Sequence, residues 1–359
     1  MAADSQTLFI LRTGLVSLWI TICPMAGAAL AENLAQNRVS WTLAGGEAHF
    51  ETAFDQSWQL PPGSRIEKFQ FSAIRFHLGY FQIKLVGIAD FAEQHSKELA
   101  VSQKIDPSLN ALFELGLRAV LRAKPFDQIM AVVPAGFPAS EKKPINLGLL
   151  RIDGTTQSQL LDDGPSAILC LDSPRYHGQG YQFQLPVFYR TSEIRQQDLI
   201  RQCRDAVQVG PRILEDPYSI SKEGTAQQSY MRTKNGVSKP WPIYLGIPSK
   251  MATSRAAYFR TIIALDDPGR DDSKEGDGKG KDVARNAYAI VTETPVTLWE
   301  VQNMLSSPGF YSDDRYAPYW AINLVGGDYA GLIVKGTGPD RTFGNVDITQ
   351  ASVLAIVRR

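Results

Sequence analysis

The sequence predicts an α+β fold: a mixed, largely antiparallel sheet core with a few helices. Three observations predict it. Strand-like segments dominate the chain from residue 65 onward. The few helix-like segments are separated by uneven numbers of strands, which argues against regular βαβ repetition. No internal repeat and no Pro- or Ser-rich linker interrupts the 359 residues, so residues 65–359 are expected to form one large domain.

The strands follow in order. Phe69–Phe76 and Tyr80–Val86 mix alternation with aromatic and β-branched residues around Gly79, which predicts a hairpin. Residues 107–123 carry Leu109, Leu112, Phe113, Leu117, Val120 and Leu121 at helical spacing, with Asp106-Pro107 as a start signal. Ile129–Val133 is an apolar strand, followed by a loop centred on Gly136. Asn146–Ile152 is a strand closed by Asp153-Gly154. Ala167–Leu171 and Tyr181–Phe188 form a further strand pair, and a helix is expected from about Ser192 to Cys203. Ala206–Pro211, Tyr258–Leu265 and Ala287–Thr292 are strands, the last two flanking the charged, Gly-rich loop 266–285. Thr297-Leu-Trp-Glu300 is a capping box opening a helix to about Ser306. Trp320–Val325, Leu332–Val334 and Val353–Val357 complete the strands.

Charge excludes some functions. Lys+Arg and Asp+Glu are both 37, so no basic excess points to nucleic acid. The four His are scattered and no C-x-x-C occurs, so neither a metal nor any other cofactor is expected.

The first residues read as an address. Arg12 precedes the apolar stretch Leu15–Ile22, and Ala29-Leu-Ala31 fits an A-x-A cleavage site. Residues 1–31 are therefore expected to be a signal peptide, with an uncleaved anchor as the alternative. Residues 32–64 become an extended lead-in ending at Leu60-Pro-Pro-Gly63. The expected location is the periplasm or the extracellular space. No apolar run long enough to span a membrane follows residue 31. Cleavage would leave Cys170 and Cys203, which in an exporting context can pair or remain two buried thiols.

Five segments then carry a resemblance. They are Val133-Pro-Ala-Gly-Phe137, Leu147-Gly-Leu-Leu-Arg-Ile-Asp-Gly154, Ala206-Val-Gln-Val-Gly-Pro-Arg-Ile-Leu214, Phe259-Arg-Thr-Ile-Ile-Ala264 and Ala321-Ile-Asn-Leu-Val-Gly-Gly327. In this order they resemble the motifs of the phosphodiester glycosidase family, the uncovering-enzyme type of domain. The resemblance implies a sugar linked through a phosphodiester, or an envelope glycan, as the ligand. It places Arg260 beside the substrate phosphate, where a guanidinium makes paired hydrogen bonds to oxyanions. The alternative for Arg260 is a strand residue facing solvent. It places Gly136, Phe137, Gly210, Pro211, Asn323, Gly326 and Gly327 along the substrate, the glycines allowing close approach of backbone; simple turns are their alternative. Two polar family positions are lost: the Asn falls at Pro134 and the Asp at Val325. Asp328 is then the candidate for the missing carboxylate, or a turn residue. The functional expectations are a hydrolase using Arg260 and Asp328, a catalytically inactive glycan- or phosphoglycan-binding protein of the envelope, and a structural envelope protein whose pocket is merely packed.

Overall fold

A computed structural model describes residues 37–44, 47–87, 117–122, 128–140, 143–162, 165, 167–171, 186–191, 194, 199–214, 231–234, 237–240, 256–266, 286–311, 318–348 and 350–359. The chain forms three large sheets. The first has seven strands in the order β1 (Thr42–Leu43), β2 (Phe50–Gln59), β3 (Lys68–His77), β17 (Asn286–Thr292), β16 (Arg260–Asp266), β18 (Pro318–Gly326) and β13 (Arg212–Leu214). The second runs β20 (Arg341–Gly344), β19 (Gly331–Val334), β5 (Ile129–Pro134), β21 (Ser352–Arg358) and β4 (Phe81–Gly87). The third runs β11 (Val187–Arg190), β10 (Ala167–Leu171), β12 (Asp205–Val209), β8 (Leu150–Ile152) and β9 (Thr155–Ser158). Two ribbons pair β6 (Pro138–Ser140) with β7 (Lys143–Asn146), and β14 (Met231–Lys234) with β15 (Val237–Pro240).

This architecture corrects the predicted fold class. The protein is β-rich rather than α+β, and its sheets are antiparallel rather than mixed: every pairing among the described strands is antiparallel. The physical reason is that the sheets largely cover one another. One core gathers Ile263, Leu265 and Leu324 from the first sheet, Val133, Leu332 and Ile356 from the second, and Leu169 and Val207 from the third. Strands buried on both faces read as unbroken apolar runs, as in Ile262–Leu265 and Val353–Val357. Each Ile or Leu fully buried there contributes about 1.5–3 kcal/mol.

Helices cover the outer faces. α1 (Leu117–Arg122) lies on the second sheet, packing Leu117 and Val120 against Ile333 and Val353. α2 (Leu298–Leu305) and α3 (Pro308–Tyr311) lie on the first, with Val301, Met304 and Phe310 against Ile262, Ala264 and Tyr288. The Thr297–Glu300 capping box opens α2: Glu300 N–H donates to Thr297 Oγ1, and Thr297 N–H donates to Glu300 Oε2. No described helix is long and apolar enough to cross a membrane.

Several local expectations also change. The hairpin expected between 69–76 and 80–86 does not form. β3 pairs β2 and β17, while β4 pairs β21 in another sheet. Leu78 and Phe81, at the crossing, are buried in the core between sheets, so the chain passes through that core instead of folding back. β2 lies within the segment read as a lead-in and joins β3 through the turn at Pro61–Ser64. The single strand expected over 146–152 is broken into β7 and β8 around Gly148, whose φ is +97°. Of the helix expected from Ser192 to Cys203, Ile194 is helical, Leu199–Gln202 form a short 3-10 turn, and residues 192, 193 and 195–198 lie outside the described residues. Residues 107–116 and most of loop 266–285 lie outside the described residues.

Candidate ligand-binding site

Arg260 begins β16 and is completely buried. Its backbone N–H donates to Thr292 Oγ1 at 2.9 Å. Its Nε donates to the Val296 carbonyl at 3.3 Å and its Nη2 to the Ala256 carbonyl at 2.9 Å. Its guanidinium carbon lies 5.1 Å from the centre of the Tyr258 ring. The guanidinium is thus fixed beneath Tyr258 by main-chain acceptors.

Gly326 pairs directly with Arg260 across β16 and β18. A Cβ at Gly326 would stand 3.1 Å from Arg260 Nη1, so glycine there makes room for the guanidinium. The next residue, Gly327, has φ +68° and open space where a Cβ would point. Its N–H donates to the Phe259 carbonyl at 2.9 Å. Asp328 follows, exposed, in the 3-10 turn Gly327–Tyr329.

Asn323 lies three residues before Gly326 on β18, in register with Ile262. Paired residues share a face of a sheet, and Ile262 and Arg260 are two apart on one strand. Asn323 and Arg260 therefore face the same side. The Asn323 side chain is buried, and neither its Nδ2 nor its Oδ1 has a hydrogen-bond partner. Gly210 lies against it: a Cβ at Gly210 would fall 2.6 Å from Asn323 Nδ2 and 3.0 Å from its carbonyl oxygen. The Asn323 N–H donates to the Pro211 carbonyl at 3.1 Å.

Gly136 and Phe137 belong to a neighbouring cluster. Gly136 has φ +81°, and a Cβ there would fall 2.1 Å from Asn146 Oδ1 and 3.1 Å from Val207 Cγ2. Asn146 Nδ2 donates to the Leu149 carbonyl at 3.1 Å. Ser352 Oγ donates to the Ala135 carbonyl and lies 3.3 Å from Asn146 Oδ1. Phe137 is half-buried and its carbonyl accepts from Leu147 N–H. This cluster reaches Gly210 through β12, which carries Val207.

The structure thus brings Arg260, Gly326, Gly327, Asn323, Gly210 and Pro211 together at one end of β16 and β18. Pro134, in β5, pairs with Val353, and Val325, in β18, pairs with Thr261; both are buried in strands. Thr261 Oγ1 accepts from Gly331 N–H at 3.0 Å.

Sequence reasoning passed over Gln208, Asn146, Ser352 and Tyr258. Gln208 accepts from Leu149 and Leu161 N–H and donates to the Leu161 and Pro165 carbonyls. That uses all four of its hydrogen-bonding capacities, so it braces loops rather than meeting a ligand. The signal for these residues was a polar side chain within an apolar strand or beside one.

Cys170 and Cys203 form a disulfide with Cα atoms 5.5 Å apart, joining β10 to the 3-10 turn before β12. It lies on the outer face of the third sheet, with Ile168, Tyr189 and Ala206.

No protein-family model matches this chain, and no curated protein matches it. Among solved structures it is similar to the catalytic domain of zebrafish N-acetylglucosamine-1-phosphodiester alpha-N-acetylglucosaminidase, auto-inhibited by its pro-peptide. The TM-score is 0.46 at 12% identity, covering 90% of this chain and 89% of that one. It is also similar to a hypothetical protein from Synechocystis, with a TM-score of 0.48 at 10% identity, covering 89% of this chain and 64% of that one. Both likenesses are distant, and function has to be read from this chain's own residues.

Proposed function

We propose that this chain is an exported glycan- or phosphoglycan-binding protein that holds a sugar linked through phosphate without hydrolysing it. One observation carries the reading: the buried Asn323 carboxamide has both polar atoms unpartnered. A carboxamide offers two donors and a two-lone-pair acceptor. Leaving such a buried group unpaired costs roughly 1–3 kcal/mol. A sugar hydroxyl both donates and accepts, and so matches it.

Two features bear on the phosphate and on the absence of turnover. Arg260 stands on the same side of the sheet as Asn323, its guanidinium held by the Ala256 and Val296 carbonyls, and the resemblance sets this residue beside the phosphate. Glycoside cleavage ordinarily needs two carboxyl groups, one as proton donor and one as base or nucleophile. Val325, where the family resemblance expects an acid, is an aliphatic side chain inside a strand. Asp328, beside Gly327, supplies one exposed carboxylate. The leader-like first residues and the disulfide favour an oxidising, exported setting.

The test offers purified protein a chromogenic sugar phosphodiester and follows dye release and equilibrium binding together. The reading expects saturable binding with release no faster than the blank. Enzyme-dependent release that disappears in Asp328→Asn restores the hydrolase; no binding of any sugar phosphate removes the reading altogether.

A further inference from the structure

His49 and His77 meet where the chain crosses from the first sheet to the second. His49 precedes β2, and its carbonyl accepts from His77 N–H at 3.1 Å, so the two stand opposite each other on neighbouring strands. Their ring centres are 5.5 Å apart. The Tyr80 ring stacks on His49 at 4.0 Å and meets His77 edge-on at 5.3 Å. Within the turn, His77 Nδ1 accepts from Gly79 N–H at 3.0 Å. Only an unprotonated ring nitrogen can accept in this way. The same turn is tied to the far end of the chain. Tyr80 N–H donates to the His77 carbonyl at 3.0 Å, and Arg359 N–H donates to the Tyr80 carbonyl at 2.8 Å. Arg359 Nε donates to the Leu78 and Phe81 carbonyls at 3.0 and 3.3 Å.

We infer that His77 is an acid-sensitive latch on this crossing: a proton on Nδ1 sets one donor against another, ejects the Gly79 N–H, and loosens Gly79, Tyr80 and the Arg359 backbone together. The latch stands apart from the sugar-phosphate reading and holds or fails without it. Charged and titratable groups surround the ring from each neighbouring element. His49 faces it across the strands, and Tyr80 and Arg359 lie in or against its own turn. The Arg75–Glu51 ion pair lies two residues back on the same face of β3. Arg358 follows on from β21, paired with Glu47. On the β17 side Asn286 pairs with His77, and its side chain donates to Asp266. Each of these carboxylates thus already serves another group: Glu51 serves Arg75, Glu47 serves Arg358 and Asp266 serves Asn286. Burial, and then the charge of His49, disfavour the imidazolium in the closed turn. The closed turn therefore binds the proton more weakly than the open one, and acid draws the population toward the open form. Leu78 and Phe81 are buried in the core between sheets and act as anchors. Opening is confined between them and to the residue bonded to them, and Tyr80, already 51% exposed, is its moving part.

The experiment is amide hydrogen exchange read residue by residue at pH 7.5 and pH 5, each rate divided by the intrinsic rate at that pH. In the wild type, protection of the Gly79, Tyr80 and Arg359 amides is expected to fall about tenfold or more at pH 5. Ile74 in β3 and Ile290 in β17 should keep theirs. His77→Asn retains an acceptor for the N–H two residues on, as in an Asx turn, and carries no titrating group. Its protection at the three amides should be the same at both pH values. Protection that is unchanged in the wild type, or that falls equally in His77→Asn, overturns the latch. A fall shared by Ile74 and Ile290 overturns it as well, because the opening is then global rather than local.

Discussion

At the scale of single residues, glycines at the site fall into two kinds. At Gly136 and Gly210 a neighbouring side chain occupies the place of a Cβ, Asn146 and Asn323 respectively, while at Gly326 a Cβ would make a tight contact with Arg260 Nη1. Gly327 is different, since its Cβ position is open and only its φ of +68° favours glycine. The distinction has a measurable consequence. Gly210→Ala drives a methyl group into Asn323 and its carbonyl, an overpacking that costs roughly 1–3 kcal/mol. Gly327→Ala meets only the left-handed backbone penalty, about 1 kcal/mol. Urea denaturation should rank the two in that order. The Gly210→Ala cost should shrink in an Asn323→Ala background, because neighbours couple. The string Gly210-Pro211 and the pair Gly326-Gly327 were legible in the sequence as special backbone. Their reasons were not, because each reason is a side chain from a distant segment.

At the scale of elements, the apolar strands announce themselves. Ile129–Val133, Ala287–Thr292, Trp320–Val325 and Val353–Val357 fall on strands, and Tyr258–Leu265 does so from Arg260 onward, since unbroken apolar runs bounded by polar residues suit doubly buried sheets. The capping box at Thr297 was readable because its chemistry is confined to four consecutive residues. Pairing was not readable. The expected hairpin across Gly79 fails because a strand's edge carries no mark of its partner when both of its faces are apolar. The crossing that replaces it brings His49, His77 and Tyr80 together, with the His49 and Tyr80 rings stacked at 4.0 Å. Burial, and then the charge of nearby His49, hold the His77 imidazole below its ordinary value of 6.5. The unfolded chain therefore binds this proton more readily than the folded one. The stability linked to His77 is complete above pH 6.5 and is lost as pH falls through the lowered folded value. Melting temperatures from pH 7.5 to pH 5 should fall less steeply in His77→Asn than in the wild type. Parallel slopes contradict this.

At the scale of the whole molecule, the sequence predicts a mixed, largely antiparallel sheet core with a few helices, and the structure has sheets covering sheets. The misreading has a physical source. The helical spacing over residues 107–123 and from Ser192 to Cys203 is real, but the described parts amount to the short α1, a helical Ile194 and a 3-10 turn. The core between sheets is supplied by strands. The candidate site sits where β16, β18 and the β12–β13 connection meet, so its residues come from three separate stretches of chain held by sheet register. The disulfide ties the third sheet from outside. It closes a separation of 33 residues, for which the chain-entropy model gives about 3–4 kcal/mol. Replacing both cysteines with serine, or unfolding under a reductant, should lower the denaturation midpoint accordingly. Identical midpoints with and without reductant contradict a structural bridge.

The central claim is that the unpaired Asn323 carboxamide waits for a sugar hydroxyl. The direct measurement is the affinity of N-acetylglucosamine 1-phosphate for the wild type and for Asn323→Ala, read by calorimetry on proteins shown to be folded by melting. The account predicts saturable binding to the wild type and a loss of about tenfold or more in Asn323→Ala, the worth of one well-placed polar contact. Equal affinity in the two proteins contradicts it.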